Sequence, residues 1–269
     1  MRNRDMERDG FLRSYDDRMR GSAEYHKGLR SLSISEHSRK KFELSGAAKF
    51  LPGFSVVQWI DSQTELGANL QASEEQLRQD FRAPWIDAEG NSQPGIAGKL
   101  AFLPASTYHM TIYDLVVEPT EEVCRELPGM VGNSVFPALK HEISIPPEMW
   151  SEGILVMGET SIAAMLHPMD RRSLETLCRI RQKHHELLHG LGDAVANQPP
   201  YDFFGHITLA YIIDDLSEPE YNWMLRILSR YESRMLGRLR VDRVELRWFN
   251  SMVDWLPSLA ALRLQGGTP

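Results

Sequence analysis

The pattern His-x-Thr-apolar occurs twice, as His109-Met110-Thr111-Ile112 and as His206-Ile207-Thr208-Leu209, each time inside a strand-like run. Side chains alternate across a strand, so residues two apart share a face. His109 and Thr111 therefore point one way, Met110 and Ile112 the other, and the second copy sorts in the same manner. Each strand has to bury an apolar face while presenting an imidazole and a hydroxyl on the opposite one. Two such strands facing one cleft supply two acid/base groups and two hydroxyl donors. A single His-x-Thr among nine histidines is unremarkable. A matched pair with matching apolar flanks is what nucleophile-free acid/base chemistry requires.

The order of elements around the motifs is also duplicated. Phe54–Ile60 reads as a strand. Ser73-Glu74-Glu75-Gln76 is a capping-box signature opening a short helix with Leu77 and Phe81 on one side. Asp87–Gly98 is a Gly/Pro/Asn loop. Leu100–Val117 carries the first His-x-Thr strand, and Glu118–Gly132 a short helix closed by Pro128-Gly129. In the second half, Ile154–Leu166 is strand-like. Asp170 caps a long helix that runs to about Leu191 and ends at Gly190 and Gly192, and Phe203–Ile213 carries the second motif. Pro219–Leu236 has helical spacing with Gly237 as its stop, and Leu239–Phe249 alternates as a strand. Strand, helix, His-x-Thr strand thus appears twice. The expected architecture is α+β: two pseudo-symmetric lobes of antiparallel sheet around a central cleft, with helices outside. Lobe one covers roughly 50–135 and lobe two roughly 140–250, within a domain spanning 31–269 in which strands can be exchanged between lobes. Residues 1–30 are polar and charge-mixed and read as a flexible or loosely docked arm.

Composition narrows the class. The chain has 269 residues, 42% of them hydrophobic, enough for one large domain or two fused lobes. A net charge of −7 argues against coating long nucleic acid, so no DNA partner is expected, while a small phosphate substrate in a local pocket stays open. Cys124 and Cys178 fit no metal or redox spacing and read as reduced thiols of a cytoplasmic protein. The charged N-terminus has no apolar signal-peptide core, and no apolar stretch is long enough to span a bilayer, so no membrane partner is expected.

The two His-x-Thr strands resemble the 2H phosphoesterase superfamily, which includes RNA 2′,3′-cyclic phosphodiesterases of the RNA-ligase-like type and plant-type cyclic phosphodiesterases. The resemblance covers roughly residues 50–250; the arm ahead of it lies outside the superfamily core and suggests a bacterial or fungal branch. It implies that His109, Thr111, His206 and Thr208 line a groove between two lobes and act on 2′,3′-cyclic or related nucleotide or RNA-end phosphodiesters. Some relatives bind nucleotides without known turnover, so a non-catalytic binding module of the same fold is an alternative. The chemistry follows from the residues. One neutral imidazole deprotonates water and one protonated imidazole serves the leaving oxygen. The Thr hydroxyls meet the charge that builds on the non-bridging oxygens. No metal or other cofactor is needed. Which His is the base, and the oligomeric state, are left open at this point. Trp59, Tyr108, Tyr201 and Phe204 are candidates to stack on a base, although large aromatics near strands are more often core. Arg247 is a candidate for phosphate; Lys99 and Lys140 are weaker ones.

A competing motif is His185-Glu186-Leu187-Leu188-His189, which matches the zinc metalloprotease signature His-Glu-x-x-His on an expected helix. Gly192 fits the extended form of that signature, but Val195 stands where a third ligand belongs, and no feature singles out Glu218 or Glu220 as a replacement. At about 100° per residue, Leu174, Leu177, Leu188 and Leu191 form one stripe that includes His184, with His185 and His189 on its border beside Cys178. The plainer reading is a His-rich rim on an amphipathic outer helix.

Overall fold

The computed structural model describes residues 10–158, 160–188 and 203–264. In chain order, α1 (Gly10–Lys27) and α2 (Glu36–Lys41) precede β1 (Gly53–Trp59), α3 (Glu65–Arg82), a small hairpin of β2 (Trp85–Ile86) and β3 (Ser92–Gln93), β4 (Leu100–Phe102) and β5 (His109–Val117). Next come α4 (Glu121–Met130), a π turn over Val131–Val135, and α5 (Phe136–Glu142). The second half holds β6 (Glu148–Met157), β7 (Ser161–Pro168), α6 (Arg171–Leu188), β8 (His206–Ile212), α7 (Glu218–Leu228) and β9 (Met235–Arg240). The chain closes with β10 (Arg243–Ser251), β11 (Asp254–Trp255) and β12 (Ala260–Arg263).

All strands except β2 and β3 join one antiparallel sheet in the order β11-β10-β1-β5-β8-β7-β6-β9, with β12 added to β10 and β4 added to β8. The sheet curls into a half-barrel with helices around it, an α+β architecture. The duplicated order is visible in the pairing. β1 returns through α3 to pair with β5, and β7 returns through α6 to pair with β8. The two inner strands, β5 and β8, meet at Met110 and Ile207, which are register partners. The halves are therefore the two sides of one continuous sheet, and the His-x-Thr strands adjoin at its centre.

Several local expectations are revised. The single strand expected over 239–249 is two strands: β9 flanks β6 at one edge of the sheet, and β10 crosses to flank β1. Alternation reads the same in both and does not encode which neighbour each strand takes. Ser73 caps nothing. Helix α3 starts at Glu65, where the Thr64 side chain accepts the Gly67 N–H, and Ser73 is buried with its hydroxyl donated to the Asn69 carbonyl at 2.6 Å. Pro128-Gly129 lies inside α4 rather than ending it; the chain absorbs the misfit in the π turn that follows. The helix begun at Glu218 stops at Leu228, and Met235 is exposed on β9. Gly237 belongs to β9 with φ +138°, and a Cβ there would meet the Leu66 backbone at 3.1 Å, so glycine is what lets β9 approach α3. Residues 10–27, expected as part of a loose arm, form α1. Its Leu12, Tyr15 and Met19 recur at helical spacing and are buried in the core.

Candidate active site

The burial pattern of β5 and β8 separates the two faces of each strand. Met110, Ile112, Ile207 and Leu209 are buried completely, while His109, Thr111, His206 and Thr208 are half-buried on the concave face. With Met110 opposite Ile207 in an antiparallel pair, the register sets His109 opposite Thr208 and Thr111 opposite His206. Each imidazole thus has the other motif's threonine as its cross-strand neighbour. The imidazoles themselves stand on a diagonal, a relation that spans about 7–8 Å between backbone positions.

Both imidazoles are held identically. His109 Nδ1 lies 2.7 Å from the Thr107 carbonyl oxygen, and His206 Nδ1 lies 2.9 Å from the Phe204 carbonyl oxygen. In each case the acceptor is the residue two before the histidine. A carbonyl only accepts, so each Nδ1 carries its proton and each Nε2 is left for the cleft. Burial pushes His109 down to about 4, partly offset by the Thr107 carbonyl and Asp114 and reinforced by His206 and Lys41. Burial also lowers His206, opposed by Phe204 and Asp114 and aided by Lys41. Both rings are therefore neutral at pH 7 in the free protein, and an anion between them would favour putting a proton back.

Around this pair the concave face is lined from several strands. Trp59 on β1 stacks on His109 at 5.6 Å with planes 13° apart. Trp255 on β11 closes on His109 at 4.4 Å and on Trp59 at 5.8 Å. The Arg247 guanidinium sits 4.1 Å over Trp59 and donates to Glu245, a buried carboxylate that also takes Arg243. Irregularities in the ladders bring two further residues to this face. Thr111 and Asp114 pair with Val57 and Ser55, and Thr208 and Tyr211 with Ala163 and Ser161. Asp114 and Tyr211 are thus on the concave face, each five residues after its histidine. Ser55 donates to Asp114 at 3.3 Å, and Lys41 donates to the Tyr211 hydroxyl at 3.1 Å. Trp255, Asp114, Tyr211 and Lys41 were not anticipated from the sequence, where strict alternation sends positions 114 and 211 to the buried face.

The other sequence candidates divide. Trp59 and Arg247 join the cleft. Tyr108 does not: it is buried on the far side, near Glu74 and Arg78 of α3, with no partner for its hydroxyl among the described residues. Phe204 lends its carbonyl to His206, while its ring packs on Tyr15 under the Arg18 guanidinium. Tyr201 lies outside the described residues. Lys99 is committed to Glu220 and the Asp215 carbonyl, and Lys140 is exposed on α5. The zinc reading finds no support. His185 meets the Tyr113 hydroxyl at 3.3 Å, Glu186 is exposed and accepts from Gln182, and His189 lies outside the described residues. Glu220 is taken by Lys99 and the α7 cap, and among the described residues no three His, Cys, Asp or Glu side chains cluster to hold a metal. His184 is fully buried, as its place on the apolar stripe implied. Cys124 and Cys178 are both partly buried. No helix among the described residues is long and apolar enough to cross a membrane.

Residues 41–124, which contain β1, α3 and the first His-x-Thr motif, match the model of a 2H phosphodiesterase family. The likeness to the 2H phosphoesterase superfamily is carried by this segment. Within it, the matching family is 2H-phosphodiest, Domain of unknown function (DUF1868). The fold recurs in the conserved protein of unknown function ATU0111 of Agrobacterium tumefaciens str. C58, at TM-score 0.59 and 16% identity over 84% of this chain and 94% of that one. TT0787 of Thermus thermophilus is similar at TM-score 0.50 and 16% identity over 80% of this chain and 100% of that one. Escherichia coli LigT overlays at TM-score 0.40 and 14% identity over 78% of this chain and 95% of its own, too coarse a likeness to transfer a site. No curated protein matches the sequence.

Proposed function

We propose that the protein is a metal-independent phosphodiesterase that hydrolyses a cyclic 2′,3′-type or related nucleotide or RNA-end phosphodiester, with His109 and His206 as its acid/base pair. The observation that carries this reading is the matched tethering of the two rings. Each is fixed through Nδ1 to the carbonyl two residues earlier, which leaves Nε2 outside that tether, and the register sets each histidine opposite the other motif's threonine. In hydrolysis, one Nε2 takes a proton from water as the oxygen attacks phosphorus. The other Nε2–H gives its proton to the oxygen whose bond to phosphorus breaks. Thr111 and Thr208 donate to the non-bridging oxygens, whose charge grows in the trigonal-bipyramidal transition state. The Trp255 ring beside His109 offers an aromatic surface for the nucleoside base.

The test is steady-state hydrolysis of 2′,3′-cyclic mononucleotides and cyclic-phosphate-ended oligoribonucleotides, with and without a strong chelator. Turnover that survives the chelator and falls at least a hundredfold in His109→Ala and in His206→Ala is the expected result. Binding of a nucleotide by calorimetry with no turnover across the panel would make the protein a binding module instead. Turnover abolished by the chelator and restored by a divalent metal would remove the metal-independent scheme.

A further inference from the structure

We propose that Lys41 is a substrate-binding residue of the cleft, its ammonium held on Tyr211 so as to take a non-bridging oxygen of the phosphodiester between His109 and His206. This rests on the phosphodiesterase reading and adds to it a third kind of group, a fixed positive charge, contributed from outside the duplicated motifs.

Lys41 ends a six-residue helix, too short to hold itself together. α2 persists because it is pinned at several points. Ser35 caps it by accepting the Ser38 N–H at 3.1 Å, the buried Ser38 hydroxyl reaches the Thr160 carbonyl at 3.4 Å, and buried Phe42 packs on the Tyr211 ring at 5.2 Å. The pinning delivers the Lys41 ammonium to a defined place, 4.6 Å over the Tyr211 ring and 3.1 Å from its hydroxyl. Tyr211 shares the concave face with Thr208 and His206. Its hydroxyl receives one ammonium proton and donates its own toward the Met252 sulfur at 3.7 Å. An ammonium has three donors, and among the described residues no carboxylate stands within ion-pair distance of this one. A half-buried cation without a counter-anion, beside two neutral imidazoles, is arranged to receive an anion. The reach of its charge agrees: Lys41 pushes down His109, His206 and His37 alike.

The plainer account is a lysine that only packs on a tyrosine. Lys41→Met keeps the aliphatic stem and removes the charge, so it separates the two. The expected result is a loss of about tenfold to a hundredfold in kcat/KM on the cyclic nucleotide panel, the scale of a charge-assisted hydrogen bond, with the thermal melt unchanged. Lys41→Arg should recover part of the loss, and Tyr211→Phe, which steers the ammonium without touching substrate, should cost less than Lys41→Met. Two readouts need no turnover. Titration with inorganic phosphate, followed by calorimetry, should be about tenfold weaker in Lys41→Met. The imidazole titrations of His109 and His206, followed by NMR, should move up when the charge is gone; Asp114, His37, Arg247 and the partner imidazole also face this space and stay in place. Wild-type turnover and phosphate binding retained in Lys41→Met would overturn the role of Lys41 alone. A wild-type protein that neither turns over the panel nor binds phosphate would overturn the phosphodiesterase reading and this proposal with it. Should Lys41→Met not fold, Lys41→Gln and Tyr211→Phe carry the same comparisons.

Discussion

Tyr15→Phe should loosen α1 and with it the entry to the second motif. The Tyr15 side chain is 1% exposed, and burial pushes its phenol above the ordinary range, so the hydroxyl keeps its proton. It donates to the Leu166 carbonyl at 2.7 Å and accepts the Gly205 N–H at 2.9 Å. The ring packs near Phe203, Phe204 and His167, contacts that phenylalanine retains. The substitution therefore isolates the hydroxyl. It leaves two buried backbone groups unpartnered, at about 1–2 kcal/mol each, for a total of about 2–4 kcal/mol. In a chain of this size that corresponds to a fall in Tm of about 5–15 °C. Because Gly205 immediately precedes His206, kcat should also fall, though by less than tenfold, since the His206 ring keeps its own tether to Phe204. Urea unfolding and steady-state kinetics on the same preparations measure both. A loss of stability below about 0.5 kcal/mol, with kinetics unchanged, would mean that α1 does not hold the β8 entry.

The remaining expectations concern the site and its protonation. Because burial lowers both His109 and His206, the proposed phosphodiesterase activity should show a bell-shaped kcat/KM profile with both limbs below the ordinary histidine value, giving an acidic optimum; an optimum above pH 7 would contradict the burial of the rings. Thr111→Val and Thr208→Val should mainly lower kcat and leave KM nearly unchanged, since hydroxyls aimed at the trigonal-bipyramidal phosphorus act in the transition state; a pure KM effect would reduce them to ground-state binding groups. His184 is fully buried, donates from Nδ1 to the Ile180 carbonyl at 2.7 Å, and is pushed down to about 4 by burial. The unfolded chain, with an ordinary histidine, takes up the proton first. Stability should therefore fall as pH drops from about 6.5 to about 4, by about 3 kcal/mol from this residue, and His184→Leu should flatten that slope in urea unfolding.

Period-two alternation in two short runs was enough to orient His109, Thr111, His206 and Thr208, because one face of each strand is fully apolar and a one-residue slip would expose it. The duplicated element order recurs in the structure as the pairing of β1 with β5 and of β7 with β8. Alternation could not give the residues beyond the first turn of the motif. Asp114 and Tyr211 stand at an odd offset from their histidines, and only the ladder irregularities between Val56 and Val57 and between Ile162 and Ala163 return them to the concave face. Trp255 and Lys41 sit on a two-residue strand and a six-residue helix. Both are defined by what they pack against, a non-local property that local propensity does not register. Helix α1 was missed for a related reason: three buried side chains hold it, and a long charge-mixed stretch dilutes their signal.

The two ends of the cleft differ in charge, while burial is the largest influence on both imidazoles. Tyr211, carrying Lys41, lies beyond Thr208, the residue that faces His109. Asp114 lies beyond Thr111, the residue that faces His206. A positive neighbour favours the neutral ring and a negative one favours the protonated ring. Asp114 outweighs Lys41 at both rings, so burial rather than charge lowers them, and the phosphodiesterase reading is tested with His109 as the base and His206 as the acid. A leaving group that needs no proton distinguishes these roles. On a p-nitrophenyl phosphodiester, His206→Ala should lose far less activity than on a nucleoside cyclic phosphate, because the phenolate departs unaided. His109→Ala should lose about as much on both, because water must still be deprotonated. The opposite ranking would exchange the two roles, and equal sensitivity of both variants to the leaving group would mean that the rings do not divide into one base and one acid.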